Sequence, residues 1–404
     1  MFEWKNGELF CEQVPVKKIA DEFGTPVYIY SRRIILDRIS LLKRAFSGLN
    51  YTIAFSLKAN NNPHLLRLIM SQGLGADTVS KGEVKLALDL DFPAERIVFA
   101  GVGKRPDEIQ YAVEKSIKLI NVESEEELHL VEHIARRSGK RINVALRVNP
   151  DVSPDTIDKI STARKESKFG IELEKIQEIL AQFRSEFVRI VGLHIHIGSQ
   201  IFEWQPYREA FEKVRHLLSR YEFQIFDIGG GFGVDYEGKG REFDFRGFRE
   251  NVLNPLSSLV DEIITEPGRY IIARAGILLT KVLYRKRNFI IVDAGMNDFS
   301  RPAYYGAYHR IDNVTRKGRE KRIYAVGGPV CESTDVFGSR FELETPDQGE
   351  LLAIMDTGAY GMSMASNYNA RPRPPEVLCD GENLKLIRKR ESLDEILWKN
   401  VPWD

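Results

Sequence analysis

Eight short, mostly apolar segments follow one another from Tyr51 to about Thr265: YTIAFSL (51–57), GADTVS (75–80), RIVFAG (96–101), IKLINV (117–122), INVALRV (142–148), IVGLHIHIG (190–198), FQIFDIGGG (223–231) and EIITE (262–266). Segments with apolar residues at three- and four-residue intervals separate most of them, for example PHLLRLIMSQG (63–73) and WQPYREAFEKVRHLLSRY (204–221). The apolar runs are typical of parallel strands covered on both sides, and the intervening periodicity is typical of amphipathic helices.

Eight βα units in roughly 215 residues match the size of a closed (β/α)8 barrel. The sequence therefore predicts an α/β fold with a TIM-type barrel over 31–270. A doubly wound open sheet is the alternative, because periodicity does not show whether a sheet closes.

The alternation ends after Arg269, and segments such as NFIIVDAGM (288–296), ELLAIM (350–355) and NLKLIRKR (383–390) are strand-like and separated by turn residues. We expect a mostly β C-terminal domain over 271–404. Strand-like segments within 1–30 are expected to pair with it.

The composition excludes several classes of protein. Among 404 residues, 58 basic and 58 acidic residues give a formal net charge of zero, so neither nucleic acid nor a membrane surface is the expected partner. Three scattered cysteines do not form a disulfide framework or a CxxC metal site. The first residues do not resemble a signal peptide, and no apolar run reaches the ~18 residues of a membrane helix. We expect a cytoplasmic protein.

In such barrels the active site lies at the carboxyl ends of the strands. Polar or glycine residues end five of the predicted strands: Lys58; Arg147; His194 and His196, with Ser199 just beyond; Gly229, Gly230 and Gly231; and Glu266, with Arg269 just beyond. The glycines follow strand seven, where this fold binds phosphate groups, although a tight turn would also explain them.

The other strand-end residues each have two interpretations. Lys58 is either a solvated surface charge or an amine able to form a Schiff base with an aldehyde. Glu266 is either a functional acid or the salt-bridge partner of Arg269. His194 and His196 lie on one face of their strand, as ligands or as packing residues.

A phosphate-binding loop, an amine nucleophile, a carboxylate and an imidazole ring together suggest pyridoxal 5′-phosphate (PLP). In this hypothesis Glu266 faces the pyridine nitrogen and keeps it protonated, because an opposite charge favours the charged form. His196 stacks on the ring, and Ser199, Gly230 and Gly231 bind the phosphate.

Seven motifs in order over most of the chain carry a resemblance: FSLKANNN, GADTVSKGE, HIGSQ, GGGFG, EPGR, GPVCESTD and GAYGMSMASNYNARPRPPEVL. With them the chain resembles the alanine-racemase-like (fold-type III) PLP-dependent decarboxylases, and among these the diaminopimelate decarboxylase family. The resemblance implies a barrel plus a β domain, and a homodimer whose active sites are shared between subunits.

The resemblance also implies residue roles. Lys58 matches the Schiff-base lysine, Glu266 the pyridinium partner, His196 the stacking histidine and Asp77 an acid beside the lysine. The matching phosphate ligands are Ser199, Gly230, Gly231 and Tyr360. Cys331 matches the cysteine that reaches in from the other subunit and protonates Cα; from the residues alone, it could equally be buried and inert.

On the substrate side, Arg269, Arg301 and Tyr305 match residues that bind a distal carboxylate. Glu332 matches the acid that meets the distal amine, and Tyr360 is also expected to bind the substrate. A planar guanidinium binds a carboxylate in a bidentate manner, which suits the D-centre of meso-diaminopimelate. Alone, Arg301 could instead be a surface salt bridge. The 151–170 loop departs from the family, with Ile157 and Asp158 in place of His-Pro and Ala163 in place of Gly.

The hypothesis is PLP-dependent decarboxylation of meso-2,6-diaminopimelate to L-lysine and CO2, the last step of lysine biosynthesis. The alternatives are a related decarboxylase acting on lysine, ornithine or a carboxy-polyamine, and a PLP-binding regulatory protein without activity. A third is a metal-dependent barrel enzyme that uses His194 and His196; no metal is expected in the preferred hypothesis.

Overall fold

The computed structural model describes residues 1–152 and 168–397. Their contacts divide them into two compact units. The barrel unit is Ile39–Val234 with Arg241–Tyr270, and the strand-rich unit is Met1–Arg38 with Asp235–Gly240 and the chain from Ile271 onward. Residues 31–38 and 235–240, expected in the barrel domain, thus belong to the strand-rich unit.

The strands, in chain order, are β1 (Phe2–Lys5), β2 (Glu8–Cys11), β3 (Val14–Pro15), β4 (Val27–Ser31), β5 (Tyr51–Ser56), β6 (Gly75–Thr78), β7 (Ile97–Phe99), β8 (Leu119–Val122), β9 (Ile142–Arg147), β10 (Val188–His194), β11 (Ile225–Asp227), β12 (Glu262–Thr265), β13 (Gly276–Lys286), β14 (Phe289–Val292), β15 (Ile311–Asn313), β16 (Lys321–Gly327), β17 (Val336–Glu344), β18 (Leu351–Ile354), β19 (Glu376–Asp380) and β20 (Asn383–Arg388).

The α-helices are α1 (Val16–Phe23), α2 (Arg32–Phe46), α3 (Pro63–Ser71), α4 (Lys81–Asp89), α5 (Pro106–Glu114), α6 (Glu125–Ser138), α7 (Leu173–Gln182), α8 (Gln205–Tyr221), α9 (Phe245–Phe248), α10 (Asn254–Ser257), α11 (Arg269–Ile272), α12 (Arg301–Tyr305) and α13 (Leu393–Leu397).

Strands β5 to β12 form a closed barrel in which each strand pairs in parallel with the next and β12 pairs with β5. The predicted (β/α)8 barrel is confirmed, and the open sheet is excluded. All eight predicted segments overlap a barrel strand. One buried layer of the barrel contains Ala54, Val98, Leu119, Ala145, Val191, Ile225 and Ile264. Small and branched side chains fill the space that closure leaves, as in other barrels of this type.

Helix α6 shows how local sequence defines the helices. The Ser124 side chain accepts a hydrogen bond from the Glu127 N–H at 3.1 Å and caps the first turn, which carries acidic residues. The last turn carries Arg136 and Arg137, and Gly139 ends the helix in a left-handed conformation (φ 62°). Acidic residues at the start and basic residues at the end both complement the helix dipole.

The strand-rich unit contains a sheet in the order β17-β16-β14-β13-β4-β19-β20, to which β15 and β18 attach through β13. Of the two N-terminal strand segments, TPVYIYS supplies β4, which pairs with β13 and β19. GELFCEQ supplies β2, which instead forms a small sheet with β1 and β3 and joins the rest through a bridge between Glu8 and Thr315.

Among the described helices, none combines the length and apolar character needed to cross a lipid bilayer.

Candidate active site

Lys58 and Asp77 meet at the carboxyl ends of β5 and β6. Strand β5 ends at Ser56, and Lys58 lies in the 3-10 turn that follows, so it is not the last strand residue that the sequence suggested. Its Nζ is 3.6 Å from Asp77 Oδ2, which also accepts a hydrogen bond from Ser56 Oγ at 2.5 Å. Asp77 is buried, whereas 39% of the Lys58 side chain is exposed. The Lys58 side chain is thus paired with a buried acid while part of it remains exposed.

Glu266 lies directly after β12 and is surrounded by buried polar side chains. His194 Nε2, at the end of β10, is 3.3 Å from Glu266 Oε2, in an orientation outside hydrogen-bond geometry. Asn121 of β8 donates from Nδ2 to Glu266 Oε1 and to Asp227 Oδ2, both at 3.2 Å. Asp227 ends β11, and its Oδ1 accepts from the Gly229 N–H at 2.9 Å. Three buried carboxyl groups therefore lie at one end of the barrel.

These acids do not titrate alike. Burial and the nearby Glu266 raise the pKa of Asp77 to about 7, although Lys58 and Ser56 act in the opposite direction. Burial and Glu266 also raise the pKa of Asp227 well above its ordinary value. Burial alone would raise the pKa of Glu266 as well, but His194 and Lys58 lower it below its ordinary value. Glu266 is thus the ionised acid of the group.

His196 contacts the glycine loop. The Gly230 N–H donates to His196 Nδ1 at 3.3 Å, which requires that nitrogen to be unprotonated. Burial, Lys58 and Arg147 lower the pKa of His196 well below its ordinary value, so the ring is neutral. His194 and His196 therefore have different partners, Glu266 and Gly230.

The glycine loop is packed too closely for side chains. A Cβ on Gly230 would lie 2.2 Å from the Glu266 carbonyl oxygen, and Gly231, with φ +105°, would place one 2.5 Å from the Gly198 carbonyl oxygen. Tyr207 Oη donates to the Gly230 carbonyl at 2.7 Å. The loop does not open a helix, because α9 begins only at Phe245. Any phosphate bound here would be held by the loop itself and by Ser199.

The prediction for the loop is that Gly230→Ala lowers the midpoint of thermal unfolding and weakens PLP binding, since the new methyl group would collide with backbone at a cost of about 1–3 kcal/mol. Calorimetry and PLP titration of the apoprotein measure both effects. Gly103→Ala is the control, because no atom lies within 4 Å of a Cβ there. Equal stability and affinity in the two variants would contradict this account of the loop.

Arg269 lies beside the phosphate candidates. Its Nε is 3.2 Å from Ser199 Oγ. Within the barrel unit, this arginine is therefore placed beside Ser199, one of the predicted phosphate ligands.

The remaining predicted residues lie in the strand-rich unit, where Arg301 is surrounded by aromatic rings. Its guanidinium carbon is 5.7 Å from the Tyr236 ring, 6.0 Å from Tyr305 and 5.7 Å from Tyr360. Its Nε is 3.4 Å from His309 Nε2. Arg301 is buried, so it is not a surface salt bridge. Tyr360 has a left-handed backbone (φ 56°), a strained conformation common at functional sites.

Cys331 and Glu332 lie on another loop of the same unit. Cys331 is exposed, whereas Cys11 and Cys379 are buried. The Cys331 N–H donates to Asn369 Oδ1 at 3.2 Å, and Tyr368 Oη donates to Glu332 Oε1 at 2.5 Å. Cys331 is thus not a buried cysteine in this chain.

A family profile described as "Pyridoxal-dependent decarboxylase, pyridoxal binding domain" matches residues 32–273. The diaminopimelate decarboxylase of Aquifex aeolicus (strain VF5) is 44% identical, over 98% of this chain and 96% of its own. A crystal structure of diaminopimelate decarboxylase from M. jannaschii with L-lysine is 37% identical, covers 100% of this chain and 98% of that one, and has a TM-score of 0.93. The Helicobacter pylori enzyme with L-lysine is 40% identical, covers 94% and 98%, and has a TM-score of 0.90.

The chain belongs to the diaminopimelate decarboxylase family.

The family's cofactor fits the residues at the barrel mouth. The match to the pyridoxal-binding domain spans Lys58, Asp77, His196, the glycine loop and Glu266. Asp77 Oδ1 is buried and has no hydrogen-bond partner among the described residues. An exposed amine, an ionised buried acid and a loop without side chains are the donor set that an aromatic aldehyde carrying a phosphate and a basic ring nitrogen requires.

Two residues of this family member were not found from sequence. Asn121 donates to both Glu266 and Asp227, yet Asn121 and Asp227 each stand inside an apolar strand segment, IKLINV and FQIFDIGGG. A polar residue in an otherwise apolar barrel strand was the available indication. The altered loop positions Ile157, Asp158 and Ala163 lie outside the described residues.

Proposed function

We propose that this chain catalyses PLP-dependent decarboxylation of meso-2,6-diaminopimelate at its L-centre, giving L-lysine and CO2. The observation that carries the proposal is the Lys58 amine 3.6 Å from buried Asp77, at the barrel end where Glu266 is held ionised. Membership of the diaminopimelate decarboxylase family supports the substrate. The two related crystal structures contain L-lysine, which is the product of this reaction.

The barrel residues would divide the work of holding the cofactor. Lys58 would bind its aldehyde carbon and Glu266 its ring nitrogen, while His196 would stack on the ring and Ser199, Gly230 and Gly231 would bind the phosphate. When bound, the cofactor accepts the electron pair left at Cα as CO2 departs. Glu266 serves that chemistry by remaining anionic, which favours a protonated ring nitrogen. Asp77 keeps the Lys58 amine close by electrostatic attraction.

The strand-rich unit would supply the groups that select the substrate. Arg301 is a buried guanidinium among tyrosines, an environment in which a carboxylate is bound strongly because water is largely excluded. A substrate with a second carboxylate fits this group better than lysine or ornithine, whose distal ends carry only an amine. Glu332 would meet the distal amine.

Cys331 would return a proton to Cα from the partner subunit of a homodimer. Its exposure in the single chain is the state expected of a residue that completes another subunit's site.

The proposal is tested by incubating the PLP-loaded protein separately with the meso, LL and DD isomers of diaminopimelate and following CO2 release and chiral product analysis. The expected result is L-lysine from the meso isomer. Release of CO2 from L-lysine or ornithine with none from the meso isomer would replace this function by that of a related decarboxylase. A protein that binds PLP but releases no CO2 from any of these would support the regulatory alternative.

Arg301→Ala is predicted to lower kcat/KM for the meso isomer by roughly a hundredfold, since removing one partner of a buried charge pair leaves the other unpaired. Steady-state kinetics measure the change. Arg316→Ala is the matched control in the same unit, where the guanidinium lies 4.0 Å from the centre of the Trp4 ring. Unchanged kcat/KM in Arg301→Ala would show that no distal carboxylate is bound there.

A further inference from the structure

The Glu266 carboxylate and the Asp227 carboxyl group both accept hydrogen bonds from one side chain, that of Asn121. A ring nitrogen of His194 and carboxylate oxygens of Asp227 and Glu266 lie within 4.8 Å of one another, and all three residues are buried. Asn121, also buried, donates from the same Nδ2 to both acids. An amide NH2 has two hydrogens, so one can be given to each carboxyl group. Asn121 therefore fixes the separation and orientation of the pair.

Two carboxyl groups this close and this buried cannot both be ionised, and one proton is shared between them. The surroundings decide which acid holds it. His194 and Lys58 lower the pKa of Glu266, whose Oε1 also accepts the hydrogen bond from Asn121. Burial and the nearby Glu266 raise the pKa of Asp227, although the hydrogen bonds from the Gly229 N–H and from Asn121 act in the opposite direction. The proton therefore belongs to Asp227, and the negative charge to Glu266.

We propose that Asn121 and Asp227 are positioning residues that hold Glu266 as the anionic member of a buried carboxyl pair, and so set the charge that meets the ring nitrogen of the cofactor. The inference rests on the proposed function, because it assigns a purpose to the charge of Glu266. It extends that function to Asn121, which donates to both acids, and to Asp227, whose side chain also accepts a hydrogen bond from the Gly229 N–H.

Other charged groups face the pair and remain unchanged in the test. On one side, Lys58 lowers the pKa of Glu266, and Glu266 in turn raises the pKa of Asp77. Arg147 and Glu123, joined by an ion pair of 2.7 Å, act on His194 from another. Because these groups stay constant, a change at Asn121 or Asp227 reports on the pair itself.

Asn121→Asp is the decisive variant, because it replaces two donors with a third carboxyl group of nearly the same size. A like charge raises the pKa of Glu266, so its anionic form is lost at a higher pH than in the parent protein. We expect the acid limb of the kcat profile to move upward by about one pH unit or more. With PLP labelled with 15N at the ring nitrogen, NMR is expected to show a protonated nitrogen in the parent protein and a less protonated one in Asn121→Asp at the same neutral pH.

Asp227→Ala is expected to move both readouts in the same direction, since it removes the protonated carboxyl group that lies within 4.8 Å of a Glu266 oxygen and stabilises the Glu266 anion. Asp227→Asn, which is neutral as the protonated acid is, is expected to move them less. Thr78→Val is the control: it removes a buried hydroxyl that donates to the Val98 carbonyl at 2.8 Å, and no contact joins it to Glu266 among the described residues. If Asn121→Asp does not fold, Asn121→Ser is used instead. It removes the amide that donates to both acids without adding a charge, and the same direction of change is expected.

The inference is overturned if the Asn121 and Asp227 variants keep the parent pH profile and ring-nitrogen shift while Glu266→Ala loses the protonated nitrogen. If the parent protein binds no labelled PLP, or if Glu266→Ala has the parent shift, the proposed function fails instead. The two failures are thus distinguishable.

Discussion

Lys58→Ala is expected to lower kcat by roughly 10³-fold or more, because no other amine replaces a group that forms a covalent bond to the cofactor. The described structure places the Lys58 amine 3.6 Å from a buried carboxylate and leaves part of the side chain open to solvent. The loss is expected in kcat rather than in folding, since the side chain lies outside the buried core. Single-turnover kinetics with the meso isomer measure it.

Two further measurements identify the residue. Borohydride reduction of the PLP-loaded protein followed by peptide mass spectrometry should place the pyridoxyl adduct on the peptide that contains Lys58. Lys85→Ala is the matched control, because Lys85 is also paired with an aspartate, Asp89, at 2.6 Å, but lies on the surface of α4. An adduct on another lysine, or full activity of Lys58→Ala, would remove Lys58 from the mechanism.

The barrel was predictable because apolar residues are spaced differently in its strands and in its helices, and this difference can be recognised within a single segment. All eight strand segments were found, yet closure came only from the pairing of β12 with β5, which joins residues more than 200 positions apart. Helix α7 follows a long polar loop, so its start at Leu173 was not located from the sequence. The N-terminal GELFCEQ segment was expected to pair with the β domain; it forms a small sheet with its sequence neighbours β1 and β3 and bridges to Thr315 of the strand-rich unit.

The candidate site was predictable where function requires an unusual residue at a strand end, as with Lys58, His196 and Glu266. It was not predictable where a residue acts through another. Asn121 matters only because its amide reaches two acids on β11 and after β12, and Tyr236 only because its ring lies by Arg301. Contacts of this kind depend on the three-dimensional arrangement, which the order of residues does not express.

Cys331→Ala is expected to lower kcat by about 10²- to 10⁴-fold, the usual contribution of a positioned acid or base. The described Cys331 is exposed, and its loop is held by the hydrogen bond to Asn369, so the change removes a thiol without disturbing the core. Cys379→Ala is the control for loss of a cysteine, and it should lower stability rather than turnover, since Cys379 is fully buried. Turnover in D2O places deuterium at Cα. Loss of stereochemical control over this deuterium in Cys331→Ala would identify Cys331 as the proton donor.

Whether the thiol acts across a dimer is decided by mixing two inactive variants. In a hybrid of Lys58→Ala and Cys331→Ala subunits, one site combines Lys58 of one chain with Cys331 of the other and is intact, while the second site lacks both. Random exchange of equal amounts makes half the dimers hybrid, so about a quarter of the parent activity should return. If Cys331 served its own chain, every site would lack one of the two groups and no activity would return. If the active parent protein is a monomer, the shared site is excluded altogether, because a proton donor supplied by a second subunit requires that subunit to be present.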